Sequence, residues 1–406
     1  MNRAQLRRDI EFLAGDLPHR GAGTERERAA AIYIRDRLAA HTTDAEIREF
    51  HCMGSGALLF ASYYVDSFVV AMLATWWPWL AFAYGLPVFL AYLAEFNGYS
   101  LFGRFLPQYE TQNVVARLTA GRGRPLFVVT AHYDSPKAGP LRAPSVTRWL
   151  PLAHAAVIAA MVSVLASCAA QGLGLFEEAG VPPHMVLRWC AAFYLACAAG
   201  ALFLSEQSGE STRGAVDNAS GVAVLLGLAS RFAEEPLEGG AAVWLVATGS
   251  SETWASGMRH LLTTERFDPR NTYFLNIDRV GSGDVRYAAA EGLHYLFRSA
   301  PEMVSAAEAV RAPQGETPER LRGIPSDGAM ALARGFKALT ITSVDTEQVH
   351  ASMQDPWDRP GAVNYDTVLK AGQFAERTLR RLDAALAGSA DAAPPDRSID
   401  PGRADC

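Results

Sequence analysis

The sequence predicts an α/β fold with a mainly parallel or mixed sheet, interrupted by two long apolar insertions. Three observations support this. Continuous apolar runs such as "LFVVTA", "AAVWLVAT" and "YFLNI" alternate with helical patterns such as "SGVAVLLGLASRFA", which is typical of strands that helices cover on both faces. Two other blocks are nearly free of charge over lengths that can cross a bilayer. Polar side chains also gather at the ends of the strand-like runs, where open α/β sheets bind ligands.

The composition of the chain excludes some classes of function. Half of the 406 residues are apolar and 20% are charged, whereas about a quarter are charged in an average soluble protein. The 43 acids exceed the 37 bases, for a net charge of -6, so the chain has no basic footprint and we expect no nucleic-acid partner. The five cysteines are scattered and form no C-x-x-C pair, which argues against a disulfide framework and against a cysteine-bound zinc.

The two ends of the chain have different character. The start, "MNRAQLRRDIEFLAGDL", has no continuous apolar stretch, so we expect an amphipathic helix and no signal peptide. Thr24 and Glu27 predict a capping box before the helix "ERERAAAIYIRDRLAA". Residues 387–406 are rich in Ala, Pro, Asp and Gly, which predicts a disordered tail.

The two apolar insertions, residues 56–98 and 149–205, each contain a pair of long apolar runs. In the first, the runs flank Pro78, with three tryptophans at the bend, and tryptophan favours the membrane interface. Runs of about 20 apolar residues predict two transmembrane hairpins. The alternative is four buried helices of a large soluble core. Asp66 is an exception within the first hairpin, because an acid in a membrane segment usually faces a partner or a cavity, and the sequence does not identify that partner.

The charges that flank the hairpins predict their orientation. Each hairpin leaves and re-enters the bilayer on the same side, so the rest of the chain lies on one side. That side carries the flanking arginines, Arg104, Arg142, Arg148 and Arg213, and the link of the second hairpin carries Glu177 and Glu178. The positive-inside rule then predicts a multi-pass membrane protein whose main domain faces the cytoplasm.

Candidate metal ligands occur at the ends of the predicted strands. Two histidines and three acids occupy these positions or precede a helix: His132, Asp217, Glu252, Asp278 and His350. Imidazole and carboxylate groups suit a divalent metal ion. Each residue also has an ordinary structural interpretation, for example a helix cap for Asp217, a core histidine for His132 or a surface acid for Glu252. The combination at successive element ends favours a metal site.

Several segments resemble the co-catalytic zinc aminopeptidase family, which includes aminopeptidase Y, glutamate carboxypeptidase and glutaminyl cyclase. The segments are "HRGAGTERERAAAIYIRDRL", "TAHYDS", "GAVDNASGVA", "NIDRVG", "PSDGAMALARG" and "VHASMQD". The resemblance covers residues 1–55, 108–140 and 208–385 and omits both hairpins. It implies an aminopeptidase-like, three-layer αβα domain with a mixed sheet.

The resemblance also implies a role for each candidate residue. Asp217 would bridge two zinc ions, with His132 and Asp278 completing one site and Glu252 and His350 the other. Asp134 would hold the ring and the tautomer of His132. Two zinc ions would lower the pKa of a shared water and polarise the scissile carbonyl.

The segment "SSETWASG" departs from the family pattern of two adjacent glutamates followed by x-G-L-x-G-S. The metal-binding glutamate lies five residues before the later glycine, and Glu252 has this spacing to Gly257. Ser251 then occupies the position of the general base, where a neutral hydroxyl cannot take a proton from water near neutral pH. The other register would make Glu252 the base and Thr253 a ligand, but a neutral hydroxyl is a poor zinc ligand.

The expected function is that of a membrane-embedded, zinc-dependent metallohydrolase that cleaves a peptide or another amide bond. Its hairpins favour a lipophilic substrate and contact with the lipid bilayer. Another acid, such as Glu347 or Asp345, is a candidate for the missing base. The alternatives are a metal-binding pseudoenzyme or scaffold on the same fold, and a non-hydrolytic acyl-transfer or cyclising relative.

Overall fold

The computed structural model describes residues 1–118, 125–139, 141, 146, 149–175, 182–312, 315–323, 325–344 and 358–391. The helices are α1 Arg3–Glu11, α2 Glu25–Ala39, α3 Gly56–Leu73, α4 Pro78–Glu95, α5 Leu150–Gly172, α6 Pro183–Ser208, α7 Ser220–Glu234, α8 Ser256–Thr264, α9 Pro301–Val310, α10 Asp327–Ala333 and α11 Tyr365–Asp391. The strands are β1 Ala45–Met53, β2 Gln108–Arg117, β3 Leu126–His132, β4 Lys137–Ala138, β5 Glu210–Ser211, β6 Ala242–Thr248, β7 Thr272–Ile277, β8 Asp284–Gly292, β9 Phe297–Arg298, β10 Thr317–Arg322 and β11 Lys337–Val344.

The described strands form a mixed sheet in the order β1-β2-β6-β3-β7-β11-β8-β10, with β9 beside β8. The four central strands, β6, β3, β7 and β11, run parallel, and β2 and β8 flank them antiparallel. The predicted α/β fold with a mixed sheet is therefore confirmed. Because parallel strands point the same way, the polar residues that follow β3, β6 and β7 meet at one edge of the sheet.

Two apolar cores cover the two faces of the sheet. The first contains residues of α1, α2, α7 and α11, among them Ile10, Ile34, Leu225 and Phe374. The second joins α8 and α10 to the four long apolar helices, and it includes Tyr92, Cys168, Trp254 and Met258. The sheet with helices on both faces is the three-layer arrangement expected from the continuous apolar strands.

Helices α3, α4, α5 and α6 are long and apolar enough to cross a membrane. In the most apolar 18-residue stretch of each helix, 44%, 33%, 39% and 28% of the residues are buried, in that order. Large apolar side chains on these helices and at their bend remain exposed, among them Trp76, Leu80, Phe193 and Leu204. Less than half of each apolar stretch is buried, and the membrane hairpins stay a prediction.

Polar contacts tie the first apolar pair to itself and to the sheet domain. The Tyr84 hydroxyl donates a hydrogen bond to Asp66 at 2.9 Å, which provides the partner that the sequence could not name. Glu95, at the end of α4, is fully buried and lies 3.1 Å from the guanidinium of Arg259 on α8. The Tyr63 hydroxyl also donates to Glu95, at 2.9 Å. Helix α4 is therefore fixed to the sheet domain by a buried ion pair.

Two local predictions need correction. The Thr24 hydroxyl accepts the Glu27 N–H at 3.2 Å, as a capping box requires, but the Glu27 carboxylate binds the Gly23 and Ser250 N–H groups instead of the Thr24 amide. The predicted disordered tail begins too early, because α11 extends to Asp391. Residues 392–406 lie outside the described residues, as do Arg142, Arg148, Glu177 and Glu178, so the predicted orientation stays a prediction.

Candidate metal centre

The predicted ligands lie at the ends of three adjacent parallel strands. His132 is the last residue of β3 and pairs in register with Thr248, the last residue of β6. Glu252 follows β6 after a short turn, and Asp278 directly follows β7. The shared direction of these strands brings side chains together that are more than 100 residues apart in the chain.

Asp217 reaches the same edge from an irregular segment, Ala215–Ala219, that precedes α7. The carboxylate of Asp358 accepts the backbone N–H groups of Ala215, Val216 and Asp217 at 3.0, 2.7 and 3.1 Å. Burial raises the pKa of Asp358 to about 6, and the hydrogen bonds from this segment oppose the rise. Asp358 therefore fixes the backbone that carries Asp217, a role that no sequence pattern indicated.

Asn218, the next residue, connects three elements at this edge. Its side-chain amide donates to the carbonyl oxygens of His132 at 3.3 Å and Ile277 at 3.0 Å. Its side-chain oxygen accepts the N–H of Gly221 at 3.1 Å and of Arg279 at 2.9 Å. These bonds hold the start of α7 against the ends of β3 and β7.

Four of the five predicted metal ligands converge. Ligand atoms of His132, Asp217 and Glu252 all lie within 4.8 Å of one another. The Nε2 atom of His132 is 3.2 Å from Asp217 Oδ1 and 3.4 Å from Asp278 Oδ1. The fifth, His350, lies outside the described residues, and so do Asp345 and Glu347.

The electrostatics of the cluster favour a bound cation. Asp217 is 1% exposed, yet in the described part of the chain neither of its carboxylate oxygens accepts a hydrogen bond. Burial disfavours the charged form of His132, but the adjacent carboxylates of Asp134, Asp217 and Asp278 outweigh burial and raise the pKa of His132 well above its usual value. Buried carboxylates are normally paired or bound to metal, and imidazole with carboxylates suits zinc. The residues present therefore fit a zinc site.

Asp134 contacts both sides of the cluster. The Nδ1 atom of His132 is 3.2 Å from the carbonyl oxygen of Asp134 and 3.4 Å from its Oδ1 atom. The Asp134 carboxylate also accepts the N–H groups of Ser251 and Glu252, both at 2.9 Å. Asp134 thus faces the imidazole, as expected, and in addition fixes the turn that carries Glu252.

The turn after β6 has a strained backbone that distant residues support. Ser250, Trp254 and Ala255 have φ angles of 50°, 67° and 52°, which are unfavourable for residues other than glycine. Asn113 on β2 accepts the Gly249 N–H at 3.0 Å and donates to the Gly257 carbonyl at 2.9 Å.

Trp254 fixes the turn to the apolar helices. Its ring lies 4.6 Å from Phe60 and 5.5 Å from Phe96, measured between centroids. Its indole N–H donates to the carbonyl oxygen of Glu95 at 3.2 Å. Trp254, which departs from the family pattern, therefore connects the turn that carries Glu252 to helices α3 and α4.

Ser251 faces a buried acid that was not among the predicted site residues. Its hydroxyl donates to Asp327 Oδ1 at 2.8 Å, and the Thr248 hydroxyl donates to Asp327 Oδ2 at 2.5 Å. Asp327 is 2% exposed, and burial raises the pKa of its carboxyl group. In sequence, Ser326 and Asp327 indicate a helix start, and Ser326 does cap α10. Only the tertiary structure brings Asp327 to Ser251.

A cavity of about 380 Å³ adjoins the cluster on the side of Glu252. Its lining combines the turn, the start of α3 and the end of α6, through Ser55, Leu58, Tyr109, Glu206, Glu252 and Thr253. The start of the first insertion and the end of α6, just beyond the second insertion, therefore contribute to the space next to the predicted ligand.

Comparison with known proteins gives a family match and several similar structures. Residues 201–376 match the profile of peptidase family M28. A glutaminyl cyclase from Bacteroides thetaiotaomicron has 13% identity and a TM-score of 0.54, covering 94% of this chain and 97% of that chain. BSAP, a zinc aminopeptidase from Bacillus subtilis, has 14% identity and a TM-score of 0.54, covering 95% of each chain.

A Zn-dependent exopeptidase from Parabacteroides distasonis has 11% identity and a TM-score of 0.52, covering 94% of this chain and 97% of that chain. No curated protein sequence matches the chain. At these identities the similar structures establish the fold. The profile match and the fold together confirm the predicted resemblance of this chain to the co-catalytic zinc aminopeptidases of peptidase family M28.

Proposed function

We propose that the protein is a zinc-dependent hydrolase that cleaves a peptide or another amide bond at the edge of its sheet. The observation that carries the proposal is the convergence of His132, Asp217 and Glu252 within 4.8 Å, with Asp278 3.4 Å from His132. The family match and the fold shared with zinc exopeptidases support zinc as the cofactor, with two ions expected.

The residues of the chain divide the work as follows. Asp217 would be shared by the two ions, with His132 and Asp278 completing one site and Glu252 and His350 the other. Zinc in such a pair lowers the pKa of the attacking water and polarises the scissile carbonyl. Asp134 orients the imidazole of His132 and fixes the turn that presents Glu252. Ser251 occupies the base position, where a direct carboxylate is missing, and Glu347 is the candidate acid from the adjacent segment.

The test is zinc content together with hydrolysis of a panel of aminoacyl and N-acyl amides, before and after removal of metal by a chelator. We expect about two zinc ions per chain, and activity that is lost with the chelator and restored by zinc. Asp217→Ala loses zinc, whereas His51→Ala, on an exposed position of β1, retains it. Unchanged zinc content in Asp217→Ala would remove the assignment of this residue.

Two alternatives have defined outcomes in the same assay. Peptides with an N-terminal glutamine are included, because the fold is shared with glutaminyl cyclases; cyclisation without hydrolysis would indicate a cyclising enzyme. Zinc binding without reaction on any substrate would indicate a metal-binding pseudoenzyme or scaffold.

We also propose that the protein is embedded in a membrane. We assign residues 1–55, 108–140 and 208–385 to the catalytic domain and 56–98 and 149–205 to two membrane hairpins. The exposed apolar surfaces of α3 to α6 support this assignment, because lipid covers such surfaces at no cost in free energy. Reporter fusions at both termini should lie in the cytoplasm, and a fusion in the 171–184 link on the opposite side. Extraction without detergent would refute the assignment.

The substrate is proposed to be a lipophilic peptide or amide. The cavity beside Glu252 is lined by residues at the start of α3 and at the end of α6, and an apolar chain bound there would extend toward these helices. The panel therefore pairs each amide with an N-acylated analogue of increasing chain length, and a kcat/KM that rises with chain length supports a lipophilic substrate.

A further inference from the structure

We infer that Ser251 and Asp327 together replace the missing general base, with the serine hydroxyl relaying a proton to the buried carboxylate. This inference rests on the proposed hydrolase. Its geometric basis is the 2.8 Å hydrogen bond from Ser251 Oγ to Asp327 Oδ1. Ser251 precedes the proposed ligand Glu252, and its N–H donates to Asp134, whose carboxylate lies 3.4 Å from His132 Nδ1.

The position of Ser251 is fixed at both its backbone and its side chain. Its N–H donates to Asp134 at 2.9 Å, and its hydroxyl donates to Asp327. The Thr248 hydroxyl occupies the second oxygen of Asp327 at 2.5 Å. The Ser251 hydroxyl therefore has a fixed proton acceptor, which a relay requires.

Asp327 has the properties of a proton acceptor. It is 2% exposed, and in the described part of the chain no Lys, Arg or His side chain lies within ion-pair distance of its carboxylate. Its hydrogen-bond donors are two neutral hydroxyl groups, from Thr248 and Ser251. A buried carboxylate without a cationic partner gains more from protonation than an exposed carboxylate does.

The proposed step balances as follows. An O–H bond of the attacking water breaks and its proton forms a new bond with Ser251 Oγ. The original proton of that hydroxyl moves to Asp327 Oδ1, and the electron pair left on the water oxygen forms the bond to the carbonyl carbon. Return of the proton by the same path to the leaving amine restores Ser251 and Asp327. Asp327 acts through Ser251 and is therefore a positioning and relay residue.

The test compares kcat, KM and zinc content for four single variants. We expect Ser251→Ala and Asp327→Asn each to lower kcat by roughly 10²-fold, the lower end of general-base assistance, with KM and zinc content unchanged. Ser251→Thr keeps the hydroxyl and should retain most of the kcat. The matched control is Thr248→Val, which removes the other hydrogen bond to Asp327 and should lower kcat far less than Ser251→Ala.

A variant that supplies a direct base separates a relay from a structural role. In a Ser251→Glu background, Asp327→Asn should change kcat by no more than about twofold, the range within which independent effects add. In the metal-free protein, the Tm values of Ser251→Ala, Asp327→Asn and the double variant should be non-additive, because the two side chains share one hydrogen bond. This readout does not depend on activity.

Three results would overturn the relay. The first is a kcat of Asp327→Asn equal to that of the wild type. The second is loss of zinc in Asp327→Asn, which would make the residue structural. The third is loss of activity in Glu347→Gln with full activity in Asp327→Asn, which would locate the base at Glu347. If the wild type binds zinc but hydrolyses no amide, the proposed function itself fails, a result distinct from the other three.

Discussion

The ends of β3 and β6 lie side by side in the sheet, yet they are built in different ways. At β3 the ligand His132 is the last strand residue, and Asp134, two positions later, faces its imidazole. At β6 the ligand Glu252 follows a turn with positive φ angles at Ser250, Trp254 and Ala255. The imidazole at the first end is faced by a sequence neighbour, whereas the turn at the second end depends mainly on residues from elsewhere in the chain.

The supports of the β6 turn come from three directions. Glu27 on α2 accepts the Ser250 N–H at 2.9 Å, Asn113 on β2 accepts the Gly249 N–H at 3.0 Å, and Phe60 on α3 packs against Trp254. A strained turn persists only where surrounding structure holds it. The departure from the family pattern is therefore local in sequence, but contacts from distant parts of the tertiary structure support it, including contacts with the first apolar insertion.

Metal binding should change most. One proposed ligand from each strand end is tested, so that the contributions of the two ends can be compared. His132→Ala and Glu252→Ala should each lower the zinc content by about one ion per chain, because each residue belongs to a different proposed site. Elemental analysis of the purified variants measures this. Glu49→Ala, at an exposed position of β1, is the control. Loss of zinc in only one of the two variants would show that the ends are not equivalent parts of one centre.

The next effect tests the dependence of the β6 turn on the apolar helices. Trp254 is 5% exposed, and Trp254→Ala should lower the free energy of unfolding in detergent by about 3–5 kcal/mol, the usual cost of deleting a large buried aromatic side chain. Trp76→Ala is the matched control, because Trp76 is 64% exposed and should change the stability little. Equal stability of the two variants would contradict the prediction, because it would show that the β6 turn does not depend on the packing of Trp254.

A smaller effect concerns catalysis at the β6 end. Ser251→Glu should raise the hydrolysis rate by up to roughly 10²-fold, because a carboxylate beside the attacking water accepts its proton directly. The gain falls short of this value if the altered turn around Trp254 aims the new side chain away by about an ångström. The rate on one amide substrate is compared with the wild type and with Glu347→Gln. Loss of a robust wild-type activity in Ser251→Glu would contradict the prediction and indicate a site adapted to serine.

A further effect, measured as a slope, is a pH dependence of the β6 turn. Burial, with the nearby charge of Asp134, raises the pKa of Glu27 from 4.5 to about 8. The contribution of Glu27 to stability is therefore complete below about pH 4.5 and is lost as the pH rises toward 8. Relative to Glu27→Gln, the metal-free wild type should lose at most about 1.4 kcal/mol per pH unit in that window. Denaturant unfolding at a series of pH values measures the difference, and parallel curves would contradict it.

Much of the fold was predictable because its signals are local. Continuous apolar strands and the amphipathic pattern of α7 follow from residue order alone, and they gave the mixed α/β sheet. The lengths of the apolar runs gave the four long helices. The spacing from Glu252 to Gly257 predicts that Glu252 is the metal-binding glutamate, and a Cβ atom at Gly257 would lie 2.2 Å from the Gly249 carbonyl oxygen. This close approach explains why the turn has glycine at that position.

The supporting residues were not predictable, because their roles arise from contacts between distant segments. Asp358 holds the backbone of Asp217 from 141 residues away, and Asp327 meets Ser251 from 76 residues away. Glu27 has the sequence of a capping residue and instead binds the β6 turn, 223 residues later. A carboxylate in sequence carries no mark of the backbone amide it will bind, because hydrogen bonding is decided by the geometry of the folded chain.

Residue order alone predicts the fold class and the types of candidate metal ligand. It also shows the absence of a second glutamate beside Glu252. These properties depend on residue identity and on spacing within one element. Only the tertiary structure brings His132, Asp217, Glu252 and Asp278 to one edge of the sheet. It also places the buried carboxylate of Asp327 next to the hydroxyl of Ser251. Strand order and direction, which no single segment encodes, set those distances, because parallel neighbours bring their carboxyl ends to the same place.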